Sequence, residues 1–158
     1  MSMFLGNILL ALVWTLMTGR MTPANLAAGF VLSFFALLLT QRLLRGRSAY
    51  FRKIVQLLVF AAWFARELII SNLKVAYDVV TPKHHSRPGT IGIPLEVTTS
   101  AQITALANLI SLTPGTLSLD VSDDRKTLYI HAMFIDDPDK VRREIKEGLE
   151  RRVLELWS

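Results

Sequence analysis

The sequence predicts a membrane α-helical hairpin plus an amphipathic helix, followed by a small α+β domain of order β-α-β-β-α. Three observations predict it. Residues 1–19 and 21–41 carry no charged side chain. Five basic residues, Arg42, Arg45, Arg47, Arg52 and Lys53, then follow without an acid among them. Beyond residue 90 the long apolar runs give way to short alternating runs broken by turn residues.

The first run is the first candidate span, about residues 3–19. From Phe4 to Met17 only Asn7 and Thr15 interrupt the apolar side chains, and about 20 apolar residues cross a bilayer as a helix. A cleaved secretory leader needs a basic start and a small-residue cleavage site, whereas the first charge here is Arg20. A retained span is the expectation. Gly19-Arg20-Met21-Thr22-Pro23 punctuates the chain, with Pro23 suited to the first turn of the next helix, where its missing N–H is not needed. The second span, about 23–41, must return antiparallel through so short a loop, and residues 1–50 form the hairpin. Gly29, beside Ala27 and Ala28, offers a small surface for close helix contact, because lipid gives helices no hydrophobic reason to associate. Arg42, Arg45, Arg47, Arg52 and Lys53 set the topology: basic residues stay in the cytoplasm, so the N-terminus and the end of the second span are both expected there.

Residues 51–80 form an amphipathic interfacial helix or a third span. The apolar stretch Leu57–Ala65 is nine residues long before Arg66-Glu67, too short to cross. At about 100° per residue, a sector of about 140° collects Arg52, Lys53, Gln56, Arg66, Glu67, Ser71, Lys74 and Asp78. Phe60, Trp63 and Ile70 share that sector and blur it. Lying along the membrane surface or against a partner fits better than crossing, since Arg66 and Glu67 in lipid cost several kcal/mol without a receiving protein. Residues 81–90, with Thr81-Pro82, His84-His85 and Arg87-Pro88-Gly89, read as a linker.

Residues 91–158 are expected to form the α+β domain. Gly92–Thr99 reads as a strand with Ile93, Leu95 and Val97 on one face and Pro94 marking an edge. Ser100 caps a helix to about Leu112, with Ile103, Leu106, Leu109 and Ile110 as its stripe. Thr113-Pro114-Gly115-Thr116 is a type II turn. Leu117, Leu119 and Val121 are expected to face inward with Ser118 and Asp120 outward. Leu128, Ile130 and Ala132 alternate with Tyr129 and His131, and Ser122–Lys126 closes the hairpin. Asp137-Pro138 starts a last helix with the stripe Val141, Ile145, Leu149, Val153 and Leu156.

Charge and composition exclude several functions. The 158 residues are 51% hydrophobic, with mean hydropathy +0.37, net charge +5 and pI near 9.9. Residues 1–80 hold eight Lys/Arg against Glu67 and Asp78, a net of +6, whereas residues 81–158 hold ten against eleven. The basic excess therefore lies beside the membrane, and the soluble part has none with which to grip phosphates; no nucleic-acid partner is expected. With no cysteine, disulfides, Cys-based zinc sites and thiol chemistry drop out. His84-His85 point apart and belong to a linker. His131 is expected at the surface of a strand. Asp120, Asp123 and Asp124 lack the Gly and Glu of a calcium loop and suit a turn. Glu147 with Arg151 exemplifies i,i+4 pairing on a solvated last helix. No catalytic residue, metal ligand or cofactor is expected. Arg66, Glu67, Gly29 and Trp63 remain as candidate partner-interface residues; the bland alternative for Arg66-Glu67 is the wet face of an interfacial helix.

The hairpin, the basic amphipathic helix with Lys74-Val75-Ala76-Tyr77-Asp78 near its end, and the run Asn108-Leu109-Ile110-Ser111-Leu112-Thr113-Pro114-Gly115-Thr116 resemble one family over nearly the whole chain. It is similar to the E subunit of the Mrp multisubunit Na+/H+ antiporter family (MnhE/MrpE/PhaE-like). The resemblance implies a non-catalytic accessory or assembly subunit of a multisubunit cation (Na+)/proton antiporter in a bacterial inner membrane. Its partners would be other integral membrane subunits and the lipid bilayer, with the C-terminal domain cytoplasmic. The alternative class is a stand-alone membrane-anchored module that binds a ligand or protein in the cytoplasm.

Overall fold

The structure, a computed structural model, describes residues 3–43, 49–82 and 86–157. Arg45, Arg47 and His84-His85 lie outside the described residues, as does the side chain of Arg42. The chain divides into two compact units, Met1–Gln56 and Leu57–Ser158.

In the first unit, helices α1 (Met3–Thr18) and α2 (Pro23–Leu43) pack side by side. Gly19 ends α1 with φ +65°, a left-handed conformation that glycine adopts without penalty. The Thr22 hydroxyl accepts from the Asn25 N–H at 3.2 Å, capping α2 ahead of Pro23. The Asn25 amide donates to Thr18 Oγ1 (2.6 Å) and to the Arg20 carbonyl (2.7 Å), and its oxygen accepts from Trp14 Nε1 (3.1 Å), tying the loop to both helices. The pair is packed inside-out. Asn7, Ala11 and Thr15, at i, i+4 and i+8, form the buried stripe of α1, while Leu9, Leu10, Leu12, Val13 and Leu16 are exposed. A water-soluble helix does the reverse. Small and polar side chains at the contact and aliphatic ones outside are the arrangement that hydrocarbon favours. Asn7, fully buried, donates to the Tyr50 hydroxyl at 3.2 Å.

Helix α3 (Ala49–Val80) is unbroken over 32 residues, about 48 Å at the usual rise. Its first two turns belong to the first unit and the rest to the second. In the second unit, strands β1 (Gly89–Pro94), β2 (Thr116–Val121) and β3 (Thr127–Ala132) form an antiparallel sheet of order β1-β3-β2. Helix α4 (Ser100–Leu112), helix α5 (Pro138–Ile145), a π-turn (Lys146–Glu150) and helix α6 (Arg151–Trp157) complete the domain. The core joins Ile91, Ile93, Val97, Ile103, Leu106, Ile110, Leu128, Ile130, Ile145, Leu149 and Val153, and Trp63 and Phe64 of α3 pack against it.

Four local expectations change. The first strand ends at Pro94, not Thr99, because the next N–H groups have another acceptor: Glu150 Oε1 takes those of Glu96 (2.6 Å) and Val97 (3.1 Å). Thr99, not Ser100, caps α4, in a reciprocal box with Gln102. On β2 the faces are exchanged. Ser118 turns inward and donates to the Ala107 carbonyl at 2.9 Å, while Leu117 and Leu119 stand half exposed. A bulge between Ser118 and Asp120 then returns Val121 to the face of Leu128. Lastly, Arg151 pairs with Glu155 (3.1 Å), and no Glu147–Arg151 pair forms among the described residues. The strict four-residue spacing of Val141, Ile145, Leu149 and Val153 drifts about 40° per step on an α-helix. The wider π-turn, with Arg151 N–H reaching the Lys146 carbonyl, takes up that drift.

The π-turn also turns Glu150 inward, to 1% exposure. Lys146 Nζ lies 3.3 Å from Glu150 Oε2, 2.9 Å from Glu96 Oε1 and 2.9 Å from the Pro94 carbonyl. Burial pulls the Lys146 ammonium down, but the Glu96 hydrogen bond and the Glu150 charge outweigh it and hold its pKa above 10.5. The outer edge of β1 is further closed by Arg142 Nε on the Gly92 carbonyl at 3.0 Å. On β2, the Ser118 N–H donates to Ser111 Oγ (3.1 Å) and the Val121 N–H to Asp120 Oδ1 (2.8 Å).

Removing Glu150 strands the Glu96 and Val97 N–H groups and takes one of two carboxylates from Lys146. E150A should cost about 3 kcal/mol, read as a lowered thermal midpoint of the purified chain in detergent. Because the folded-state pKa of Lys146 is raised, its contribution is complete below about pH 10.4 and disappears as pH rises through the folded value. Melting midpoints should fall in that alkaline window for wild type and fall less for K146M.

Candidate functional site

Between α3 and the α+β domain lies an open cleft of about 540 Å³. It exists because the helix turns a mixed face to the domain. Trp63, Glu67, Ser71 and Lys74, at successive turns of α3, line one wall. The opposite wall comes from the turn Thr113-Pro114-Gly115-Thr116, from Phe134, and from Glu144, Glu147 and Arg152. Gly115 has φ +89°, with Phe134 and Val75 packed over it, so a side chain there is strained by backbone and space together. The turn is held by the Thr116 N–H on the Thr113 carbonyl (3.1 Å) and by Thr116 Oγ1 on the Ile110 carbonyl (2.6 Å). The most specific stretch of the sequence resemblance thus forms a wall of the cleft.

The candidate residues are spread over both units. Trp63 is half buried, packs over Gly148 and lies beneath the Arg152 guanidinium, 4.1 Å from the ring centroid. Arg66 and Glu67 approach to 4.0 Å, with Arg66 69% and Glu67 32% exposed; Glu67 lines the cleft and Arg66 does not. Gly29 is in the first unit, buried against Trp14 and Ala11 of α1, where an added Cβ would come within 2.8 Å of the Trp14 ring. Arg52 is exposed and Lys53 half buried. His131 is half buried on β3, opposite Thr90 and Leu117. Asp124 accepts from Ser122 Oγ and the Lys126 N–H; the serine hydrogen bond chiefly holds its carboxyl below 3.8. The burial of Ser71 and Asp78 has no local signal of its own, although Trp63 and Phe60 within the polar sector point to a protein-facing stripe.

The family profile described as Na+/H+ ion antiporter subunit matches residues 7–156. The chain belongs to that family. The Na(+)/H(+) antiporter E subunit of Alkalihalophilus pseudofirmus is 37% identical over 150 residues, covering 95% of this chain and 94% of that protein. The E1 subunit of Staphylococcus haemolyticus is 39% identical, with 95% of this chain and 94% of that protein covered. Among solved structures, a chain of the membrane-bound sulfane sulfur reductase, an archaeal respiratory membrane complex, covers 99% of both chains with TM-score 0.62 and 28% identity. This antiporter-family member is a membrane protein, and its inside-out hairpin agrees with that.

W63A removes the ring that joins α3 to the domain core and supports Arg152. It should destabilise the α3–domain contact by about 2 kcal/mol. Limited proteolysis at the end of α3 should accelerate relative to wild type.

Proposed function

We propose that the chain is a non-catalytic accessory subunit of a multisubunit Na+/H+ antiporter, anchored by two membrane spans, with its α+β domain in the cytoplasm. The relatives that match it end to end are antiporter E subunits, and that carries the functional part. The topology rests on α3. From Trp63 to Val75 one face of this helix packs on a charged α+β domain, and no hydrocarbon layer accommodates such a neighbour. The segment ahead of it, from Tyr50 to Ala62, is about 20 Å long, short of the ~30 Å that a bilayer core requires. Helix α3 therefore runs along the membrane edge, with Leu58, Ile69 and Leu73 exposed on its apolar side. Basic residues flanking the second span hold that end inside. Arg66, on the side away from the cleft, is available to an acidic group of a neighbouring subunit.

A tag on this chain, purified in mild detergent, should recover several polytopic subunits in fixed ratio. Recovery of a lone monomer overturns the accessory role and favours a self-sufficient binding module. Protease added to inside-out vesicles should remove the C-terminal domain, whereas intact spheroplasts should protect it; the opposite pattern requires α3 to cross.

A further inference from the structure

We infer that the outward side of α3 binds anionic phospholipid of the cytoplasmic leaflet, with Arg52 and Arg66 each meeting headgroup phosphates and Leu58, Ile69, Leu73 and Val80 lying against acyl chains. The inference rests on the reading of α3 as a helix at the membrane edge, and it names the lipid chemistry that this helix selects.

Charge selects the occupant. Seven Lys or Arg precede Glu67 in the sequence, and no Asp or Glu does. Arg52 is exposed in the first turn of α3. Further along the helix, 69% of the Arg66 side chain is in the open, with Glu67 no nearer than 4.0 Å. Basic side chains beside a membrane span are drawn to a leaflet that carries negative headgroups, and each one adds to the attraction.

Shape narrows the choice. At about 100° per residue, Leu58, Ile69, Leu73 and Val80 fall within a sector of about 60°, and Arg66 lies about 20° beyond Leu73. All five are exposed, while Trp63 and Phe64 pack the other side of the helix on the domain core. From Leu58 to Val80 the stripe is about 33 Å long. Its occupant must set hydrocarbon beside negative charge over that length. A carboxylate on a water-soluble surface offers the charge alone, and the bilayer centre offers hydrocarbon alone. The boundary of an anionic leaflet offers both, because an arginine stem lies along apolar surface while its head reaches the phosphates.

The start of the helix is continuous with the membrane anchor. In the first unit, the Tyr50 hydroxyl accepts from Asn7 Nδ2 at 3.2 Å, and the Tyr50 ring lies 6.0 Å from that of Phe4 and 6.2 Å from that of Phe34. The first turn of α3 is thereby fastened to both spans at their basic, cytoplasmic end. The nearest anions there are the phosphates of the lipid around those spans.

The test uses the full-length chain, which has no cysteine of its own. Ile69→Cys is labelled with a fluorophore and the chain is placed in nanodiscs that contain a quencher lipid; Leu9→Cys, on the exposed side of α1, reports insertion of the hairpin. Quenching at residue 69 should be about threefold stronger with about 30% phosphatidylglycerol than in phosphatidylcholine alone, and residue 9 should be quenched alike in both. R52Q/R66Q should abolish the difference at residue 69, with quenching at residue 9 and protease resistance unchanged. High salt should diminish it, and excess inorganic phosphate should not. Equal quenching at residue 69 in the two lipids overturns the inference and leaves α3 at the membrane edge. Full preference retained by R52Q/R66Q, or reversal by inorganic phosphate at constant ionic strength, also overturns it. Absence of quenching at residue 69 in either lipid, with residue 9 quenched, overturns both readings. In the tagged complex, a photo-crosslinker at residue 69 should capture lipid; capture of a subunit instead shows that protein covers this face and overturns the inference.

Discussion

The docking of α3 on the α+β domain gives the second unit its arrangement. One face of the helix carries Trp63, Ser71, Val75 and Asp78, side chains that are buried or half buried; the other carries Leu58, Ile69 and Leu73 in the open. Neither face is stable in the environment of the other. Leucines suit lipid or another protein's apolar surface, whereas the serine and carboxylate side chains need protein or water around them. The Trp63–Arg152 stack contributes at the same place, tying α3 to the last helix of the domain.

The hairpin solves the complementary problem. Between helices in lipid, contact energy comes from close backbone approach and from hydrogen bonds, not from expelled water. Gly29 lets Trp14 and the Ala11 carbonyl come near, and Asn7 reaches Tyr50. Asn25, at the loop, satisfies three polar groups with one amide. Asn7 and Asn25 each join two segments of the hairpin.

Much of this was legible in the residues. A Gly-Arg-Met-Thr-Pro loop, Asp137-Pro138 before a stripe and Pro114-Gly115 in a turn are local signals, and each appears where its chemistry directs. What was not legible depended on partners distant in sequence. Glu150 reads as one more charge on an amphipathic last helix until the π-turn carries it to Glu96 and Val97, more than fifty positions away. Alternation on β2 suggested Leu117 and Leu119 inward. A serine instead faces the core, because α4 lies close enough for Ala107 to accept its hydroxyl, and a bulge corrects the phase afterwards. The candidate cleft divides the same way. Its turn was visible in sequence, but its second wall arises only when α3 folds against the helix near the chain's end.

The two margins of the sheet bear on how such a domain behaves in crowded surroundings. A three-stranded sheet leaves the outer sides of both edge strands unpaired, and unpaired strands recruit others indiscriminately. Here Arg142 and Lys146 cover carbonyls along β1, and Ser111 and Asp120 occupy amides along β2. Zipping to a stray strand, whether a nascent chain or a second copy, would first have to strip away these side chains. Recognition is left to side-chain chemistry, which can tell one neighbour from another, and a polypeptide awaiting its companions is protected from sticking to its own kind.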